Sequence, residues 1–546
     1  MTSNKKSIVE IITRHYVLTV LVITIVTWFP VLFVSFINDD IQILNYLNIN
    51  SVAGIFLPFV KPDNIAYYWR PLGNSLHALI LFVSGFHPFL FKLVGLVNYI
   101  FCIILFIKAG QKIGIDKQVG LISAVIFMVL PSHELQVAWI SDQNEALFTI
   151  FILLSFITYY NLYAKNEDKR KNAILSILFF WSAILTKEAA FSGIFIPLIV
   201  LVSQKDYKKI RLLKALRDAG IGILIIILTL SYRYIFIGGT PFSSDHFAGT
   251  TVFKSAANFF IYIPLAFVPP EALEWLQSIF NNPLILILLI IISLTLIVFL
   301  IIKAQKLNKV NFNILLTGML WYVVFIMPAV TKLMRWYVFA ASIGIFWIIA
   351  AYIQNRKEFI LSKKILVIVL LLISVTAIYD FNLMIRWSNA GKKFDTALNS
   401  VSKYKNEISS DSLLFWITPD KIDRIPLMKL GIQQSIQWKL KNDSIDVFAP
   451  FRVEMVNYNS HIKVINHTDS TIIFKISNGR FLPQGGKSHY IIRNENMDGQ
   501  INNINYVITT RIKGNIPASV LEVKYLKNQI PQNQLYFNGK DFIKIR

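Results

Sequence analysis

Asp39 and Asp40 stand side by side directly after a long apolar segment, and the stretch they open closes at Tyr67-Tyr68-Trp69-Arg70. Carboxylates beside a hydrocarbon core are costly unless they face water or a partner, so a pair kept there is a candidate for work. The work that suits it is taking a proton from an attacking hydroxyl. Asp39 reads as that base; Asp40 reads as a second base, as an orienting partner, or as the N-cap of a helix over 41–47. Further charges recur beside apolar runs: His133 and Glu134, Asp142 and Glu145, Lys187 and Glu188, Lys332 and Arg335, with His77 between. Each alone has a plain reading, a snorkelling charge or an ion pair that fixes a helix end. Together they suit a reaction between a lipid phosphate and a hydroxyl. Cations would hold the phosphate, which leaves as an anion, and a carboxylate would receive the proton.

Long apolar segments must position these residues. The chain has 546 residues, 55% hydrophobic and 16% charged, too apolar to cover a soluble surface of that size. Windows of about 20 residues with few charges recur between 17 and 378, each enough to cross roughly 30 Å of hydrocarbon. The reading is a multi-pass membrane protein whose first apolar stretch is a retained span, since it lacks a small-residue cleavage site. A formal charge of +23 then reports orientation before any nucleic acid, because basic loops stay in the cytoplasm.

Spans placed by loop charge fall at about 15–37, 88–108, 118–131, 145–163, 173–185, 189–203, 218–237, 284–302, 312–330, 337–353 and 365–380. Short apolar helices at 72–86 and 256–268 lie in the outer interface. This arrangement puts 23 basic residues on inner segments against six on outer ones, and favours eleven spans with the N-terminus inside and the C-terminus outside. The charges named above then share the outer face. Lone Cys102 lies in an apolar segment and gives no disulfide framework.

From 381 the apolar windows shorten to strand length, at 412–418, 462–465, 471–476 and 506–512, with turn signals at Asn478-Gly479 and Gly485-Gly486. The division expected is a transmembrane domain at 1–380, with its catalytic outer loop at 38–87, and a mainly β extracytoplasmic domain at 381–546 with one helix near 428–440. That second domain holds 23 basic and 13 acidic residues, which suits lipid headgroups or an acidic glycan as well as plain solubility.

Four blocks carry a resemblance: Tyr68-Trp69-Arg70-Pro71-Leu72-Gly73-Asn74; Leu130-Pro131-Ser132-His133-Glu134 on through Trp139-Ile140 and Asp142 to Glu145; Leu185-Thr186-Lys187-Glu188-Ala189-Ala190; and Met334-Arg335-Trp336-Tyr337 through Ser342 and Gly344. In that order they resemble the protein O-mannosyltransferase-like membrane glycosyltransferases, above all the transmembrane and tetratricopeptide-repeat O-mannosyltransferases and their bacterial relatives. The resemblance covers about 10–390. It implies the C-type glycosyltransferase (GT-C) fold, an all-α polytopic bundle of about eleven spans. It also implies a polyprenyl-phosphate-linked sugar as donor and inversion without a required metal or other cofactor. Carried over, Asp39 matches the catalytic aspartate with Asp40 beside it, and Arg335 a donor-phosphate contact that Arg70 and Lys187 would assist. Glu145 or Asp142 resembles the second acidic site, joined here by His133, Glu134 and Glu188. The chain departs from the pattern at Leu130-Pro131, where relatives have His-Pro, and at Gln143-Asn144, where they often have Arg. A β-rich domain also stands in place of the tetratricopeptide repeats.

The expectation is an inner-membrane glycosyltransferase acting on a glycan, lipid or protein acceptor outside the cytoplasm, with membrane lipids as its other partners and no nucleic acid. Three alternatives stay open. His133 with Glu134 admits a divalent ion, although the pair lacks multi-ligand spacing. A transporter or flippase of envelope glycans also places charges among apolar segments, usually with paired halves that this chain lacks. A non-catalytic membrane scaffold is the third.

Overall fold

The computed structural model describes residues 13–47, 51–61, 69–164, 168–204, 209–238, 251–270, 307–356, 363–405, 412–428, 431–484, 494–513, 516–526 and 532–545, with 287, 288, 291, 295, 302 and 530 as single positions. The described residues form two compact units. One consists of Phe33–Tyr46 and the chain from Ile385 onward, and the other holds the remainder.

The larger unit is helical. Its helices are α1 (Tyr16–Trp28), α3 (Pro71–Ser84), α4 (Pro88–Lys112), α5 (Lys117–Met128), α6 (Glu134–Ala138), α7 (Gln143–Ala164), α8 (Lys169–Thr186), α9 (Ile196–Ser203), α10 (Lys209–Tyr232), α11 (Val252–Leu265), α12 (Lys309–Ile326), α13 (Val338–Asn355) and the first part of α14 (Lys363–Val401). Helix α2 (Asp40–Tyr46) belongs to the smaller unit. Among the described residues seven helical segments are long and apolar enough to cross a membrane, and an eighth is bent by 64° between α5 and α6. A multi-pass membrane protein follows from these lengths and compositions. The bend falls where Leu130 is extended and Pro131, which has no N–H to give, opens a short 3-10 turn.

The short helices expected at 72–86 and 256–268 are α3 and α11. The segment read as a span at 189–203 instead breaks into a 3-10 stretch, Glu188–Phe195, and the two turns of α9. The span expected at 284–302 lies outside the described residues apart from single positions. Helices α12 and α13 form a tight hairpin, because a Cβ on Gly318 would lie 2.6 Å from the Gly344 carbonyl oxygen. Just beyond that contact Trp321 and Trp347 meet edge to face at 4.9 Å, and the Trp321 indole donates to the Ala340 carbonyl.

Helix α14 runs 39 residues, well past 380. Its later part buries Trp387, Ala390, Phe394, Leu398 and Val401, a three-to-four spacing that keeps an amphipathic helix going after the apolar run stops. The smaller unit then adds three sheets. Strands β13 (Phe542–Lys544), β12 (Gln534–Phe537), β1 (Ser412–Phe415) and β4 (Asp446–Phe448) form one, in that order. Strands β6 (Ile462–His467), β7 (Thr471–Ile476), β11 (Ile516–Lys524), β10 (Ile504–Lys513) and β9 (Glu495–Ile501) form an antiparallel second. Strands β3 (Ile425–Pro426), β2 (Ile417–Ile422), β5 (Phe451–Met455) and β8 (Gly479–Pro483) form the third, with β2 and β5 parallel. The helix expected near 428–440 is α15 (Ile432–Leu440); the Gly485-Gly486 turn lies outside the described residues.

Candidate functional site

In the helical unit, eight of the residues singled out above lie at helix ends. Lys187 is extended (φ −160°, ψ 139°) between α8 and the 3-10 stretch that Glu188 opens, so successive side chains leave the backbone in opposite directions. Lys187 pairs with Glu145 in the first turn of α7, where the helix dipole also favours an acid. Glu188 takes Arg70, at the start of α3, through two hydrogen bonds of 2.6 and 3.0 Å. Arg335 pairs with Glu134 at the start of α6.

The turn Arg335-Trp336-Tyr337 joins these pairs. The Trp336 carbonyl accepts from Gln136 at 3.4 Å, and Gln136 also donates to Asp142 at 2.8 Å. The Lys187 ammonium lies 5.0 Å from the Tyr337 ring centre. Asp142 feels Lys187, Glu145, Arg70 and Arg335 together, which makes one charged layer of all three pairs. Helix α11 braces the approach to Arg335: the Tyr262 hydroxyl donates to the Lys332 carbonyl and accepts the Met334 N–H, both at 2.8 Å. Access is graded, since Lys187 and Glu145 are 3% and 2% exposed whereas Arg70 and Glu188 reach 14% and 32%. Arg335 and Glu134 fall between at 11% and 4%, so Arg70 is the most exposed cation of the three.

His133 and Glu134 do not converge on one point. The His133 Nδ1 pairs with the Tyr99 hydroxyl at 2.9 Å, and that hydroxyl also bonds the Met128 carbonyl at the end of α5, while Glu134 turns to Arg335. Among the described residues no group of three or more His, Cys, Asp or Glu could hold a metal ion. Gln143 and Asn144 have packing roles where the resemblance would place Arg. Gln143 donates to the Phe91 carbonyl at 3.1 Å, and Asn144 fills the space a Cβ on Gly73 would need.

Asp39 and Asp40 fall in the other unit. Asn38 takes a left-handed conformation (φ 56°) and its N–H donates to the Leu427 carbonyl at 2.6 Å. Asp39 is 7% exposed and accepts from the Asn38 amide at 3.3 Å. Asp40 is not an N-cap: it is the first residue of α2, and its carboxylate reaches back to the Ile37 N–H at 3.2 Å. Gly431, just ahead of α15, is left-handed at φ 73°, and a Cβ there would sit 3.1 Å from the Asn38 carbonyl oxygen and 3.5 Å from the Asp39 Cα. On the α14 side Ser35 donates to Asp395, and Gly391 packs against the Ser35 backbone.

Sequence reading passed over Lys92 and Asp380. Both are fully buried in long apolar helices, where a charge marks function or a specific partner. The Lys92 ammonium donates to the Ala138 carbonyl at 2.6 Å, closing the end of α6. Asp380 lies within electrostatic reach of Glu134 and Tyr99. A carboxylate at the edge of an apolar run is the available signal. No protein-family model, curated protein or solved structure matches this chain.

Proposed function

We propose that this protein is a membrane glycosyltransferase of the C-type, with about eleven spans, that moves a sugar from a polyprenyl phosphate to an acceptor outside the cytoplasm. The acceptor hydroxyl attacks the anomeric carbon and gives its proton to Asp39. The bond from that carbon to the phosphate oxygen breaks, and the polyprenyl phosphate leaves with the electron pair, so the configuration inverts. Asp40 orders the segment that carries Asp39. Arg70, Arg335 and Lys187 serve the donor phosphate; Glu134, Asp142, Glu145, Glu188 and His133 form the acceptor side. No cofactor is required. The protein sits in the inner membrane with its N-terminus in the cytoplasm and its β-rich domain outside.

The observation that carries this reading is the charged layer itself. Cations from three separate parts of the chain meet four acidic residues there, and the most accessible cation, Arg70, is held by the most exposed carboxylate, Glu188. An incoming phosphate can exchange for that carboxylate on the guanidinium fork. The test is release of free polyprenyl phosphate by the purified protein over a panel of polyprenyl-phosphate sugars, with Asp39→Asn alongside. Asp39-dependent release supports the assignment, and release from no donor by folded protein rejects it.

One observation favours transport instead, the buried charges Lys92 and Asp380 within apolar helices. Glycolipid translocation in proteoliposomes that stops in Asp380→Asn, with no sugar transfer, would select that reading.

A further inference from the structure

We propose that a cavity between α7, α8, α9 and α10 holds one acyl chain of an anionic glycerophospholipid, with its phosphate on Lys214 and Arg217. The cavity has a volume of about 230 Å³ and lies apart from the charged layer. Ser155, Phe180, Ile194, Ile221 and Ile225 line it together with Lys214, Arg217 and Asp218, which come first along α10. From Lys214 to Ile225, α10 rises roughly 16 Å at 1.5 Å per residue, about half of a hydrocarbon core of roughly 30 Å. That is the depth of a single leaflet, and so of a single lipid chain below its headgroup.

The walls say what fills it. Helix α10 buries only 17% of its apolar stretch against the protein, and Ile177 and Ile221 on the cavity wall are 42% and 40% exposed. An apolar slot open sideways to hydrocarbon takes up hydrocarbon, because water there would find few hydrogen-bond partners. The charged end says which headgroup. One oxygen of Asp218 accepts from the Tyr159 and Tyr163 hydroxyls, each at 2.8 Å. The other accepts from the Arg217 Nε and Nη2 at 3.0 and 2.8 Å.

That network occupies the carboxylate and holds Arg217 in place, with its side chain 67% exposed and Nη1 still free to donate. The Lys214 ammonium lies 4.3 Å over the Tyr163 ring, with no carboxylate partner among the described residues. Two cations against one spent anion leave a surplus positive charge at headgroup level.

The test is native mass spectrometry of the full-length protein in mild detergent, titrated with phosphatidylglycerol and with phosphatidylcholine of the same chains. Phosphatidylglycerol should bind about 25-fold more tightly at one site. Lys214→Gln with Arg217→Gln should erase the difference, at about fivefold per cation, while Lys463→Gln with Lys475→Gln on the β-rich domain should not. Gly222→Phe, which puts a ring into the slot wall beside Ile194 and Phe180, should weaken both lipids together. Equal binding of the two lipids to the unaltered protein, or no response to the paired charge substitution, overturns the proposal. Tighter retention of a polyprenyl phosphate than of phosphatidylglycerol overturns it too, by giving the slot to a different lipid. The charge substitutions lie at an exposed rim, so the test stands even where Gly222→Phe does not fold.

Discussion

Arg70, Lys187 and Arg335 reach their carboxylates across 118, 42 and 201 residues of chain, each through side chains alone. Asp39 and Asp40 are held the other way, by main chain: an N–H given to Leu427, an N–H taken from Ile37, and a left-handed glycine packed against the backbone. The difference bears on how each region answers change. A buried ion pair tolerates loss of both members far better than loss of one, because the survivor is left charged and unsolvated. A carboxylate placed by backbone keeps its position when its charge is removed, so its chemistry can be deleted while its structure stays.

The largest effect should come from Asp39→Asn, which removes the base and leaves the hydrogen bonds of the corner intact. Turnover should fall by about 10² to 10⁴ with an unchanged thermal midpoint; wild-type-like turnover would take the base away from Asp39. Next is Lys187→Met, which strands Glu145 and should cost about 3–5 kcal/mol in denaturation measured in detergent. Lys187→Met with Glu145→Leu should recover most of that, and a double variant no better than the single would mean the pair is not a unit. Gly431→Ala should cost about 1–2 kcal/mol through its left-handed backbone and shift Asp39. A drop of about tenfold in kcat with KM unchanged would show that the β-rich unit places the base, whereas a change confined to stability would make the contact mere packing. The smallest effect is expected from Glu188→Gln, which takes from Arg70 a partly exposed ion pair worth about 1 kcal/mol. Donor KM should fall by up to about fivefold, and a rise would mean that Glu188 itself binds substrate.

Much of this was open to sequence because it depends on local pattern. Apolar length marks α4, α7, α12 and α13, and alternation with turn residues marks β6, β7 and β10. The charged residues drew notice because a charge beside hydrocarbon is expensive wherever it occurs. Their partners stayed hidden, since nothing around Arg335 says that it will meet Glu134 rather than Asp142. The course of α14 beyond 380 is legible in the spacing of Trp387, Ala390 and Phe394, whereas the fall in hydropathy there marks the end of the apolar run and not of the helix. That Phe33–Tyr46 belongs with the C-terminal unit was not legible at all. It rests on the close approach of Gly431 and Gly391 to the backbone, which leaves no mark in polarity.

The contact between Gly318 and Gly344 also bears on how the chain is made. Two apolar helices whose backbones touch, joined by a short connection that ends in Arg335, already satisfy each other before the rest of the bundle exists. The α12–α13 hairpin is thus suited to leave the insertion machinery as a single piece. A bulky residue at either glycine would then act during biosynthesis, separating the helices at the moment of membrane entry and leaving quality control, rather than the assay tube, to register the damage.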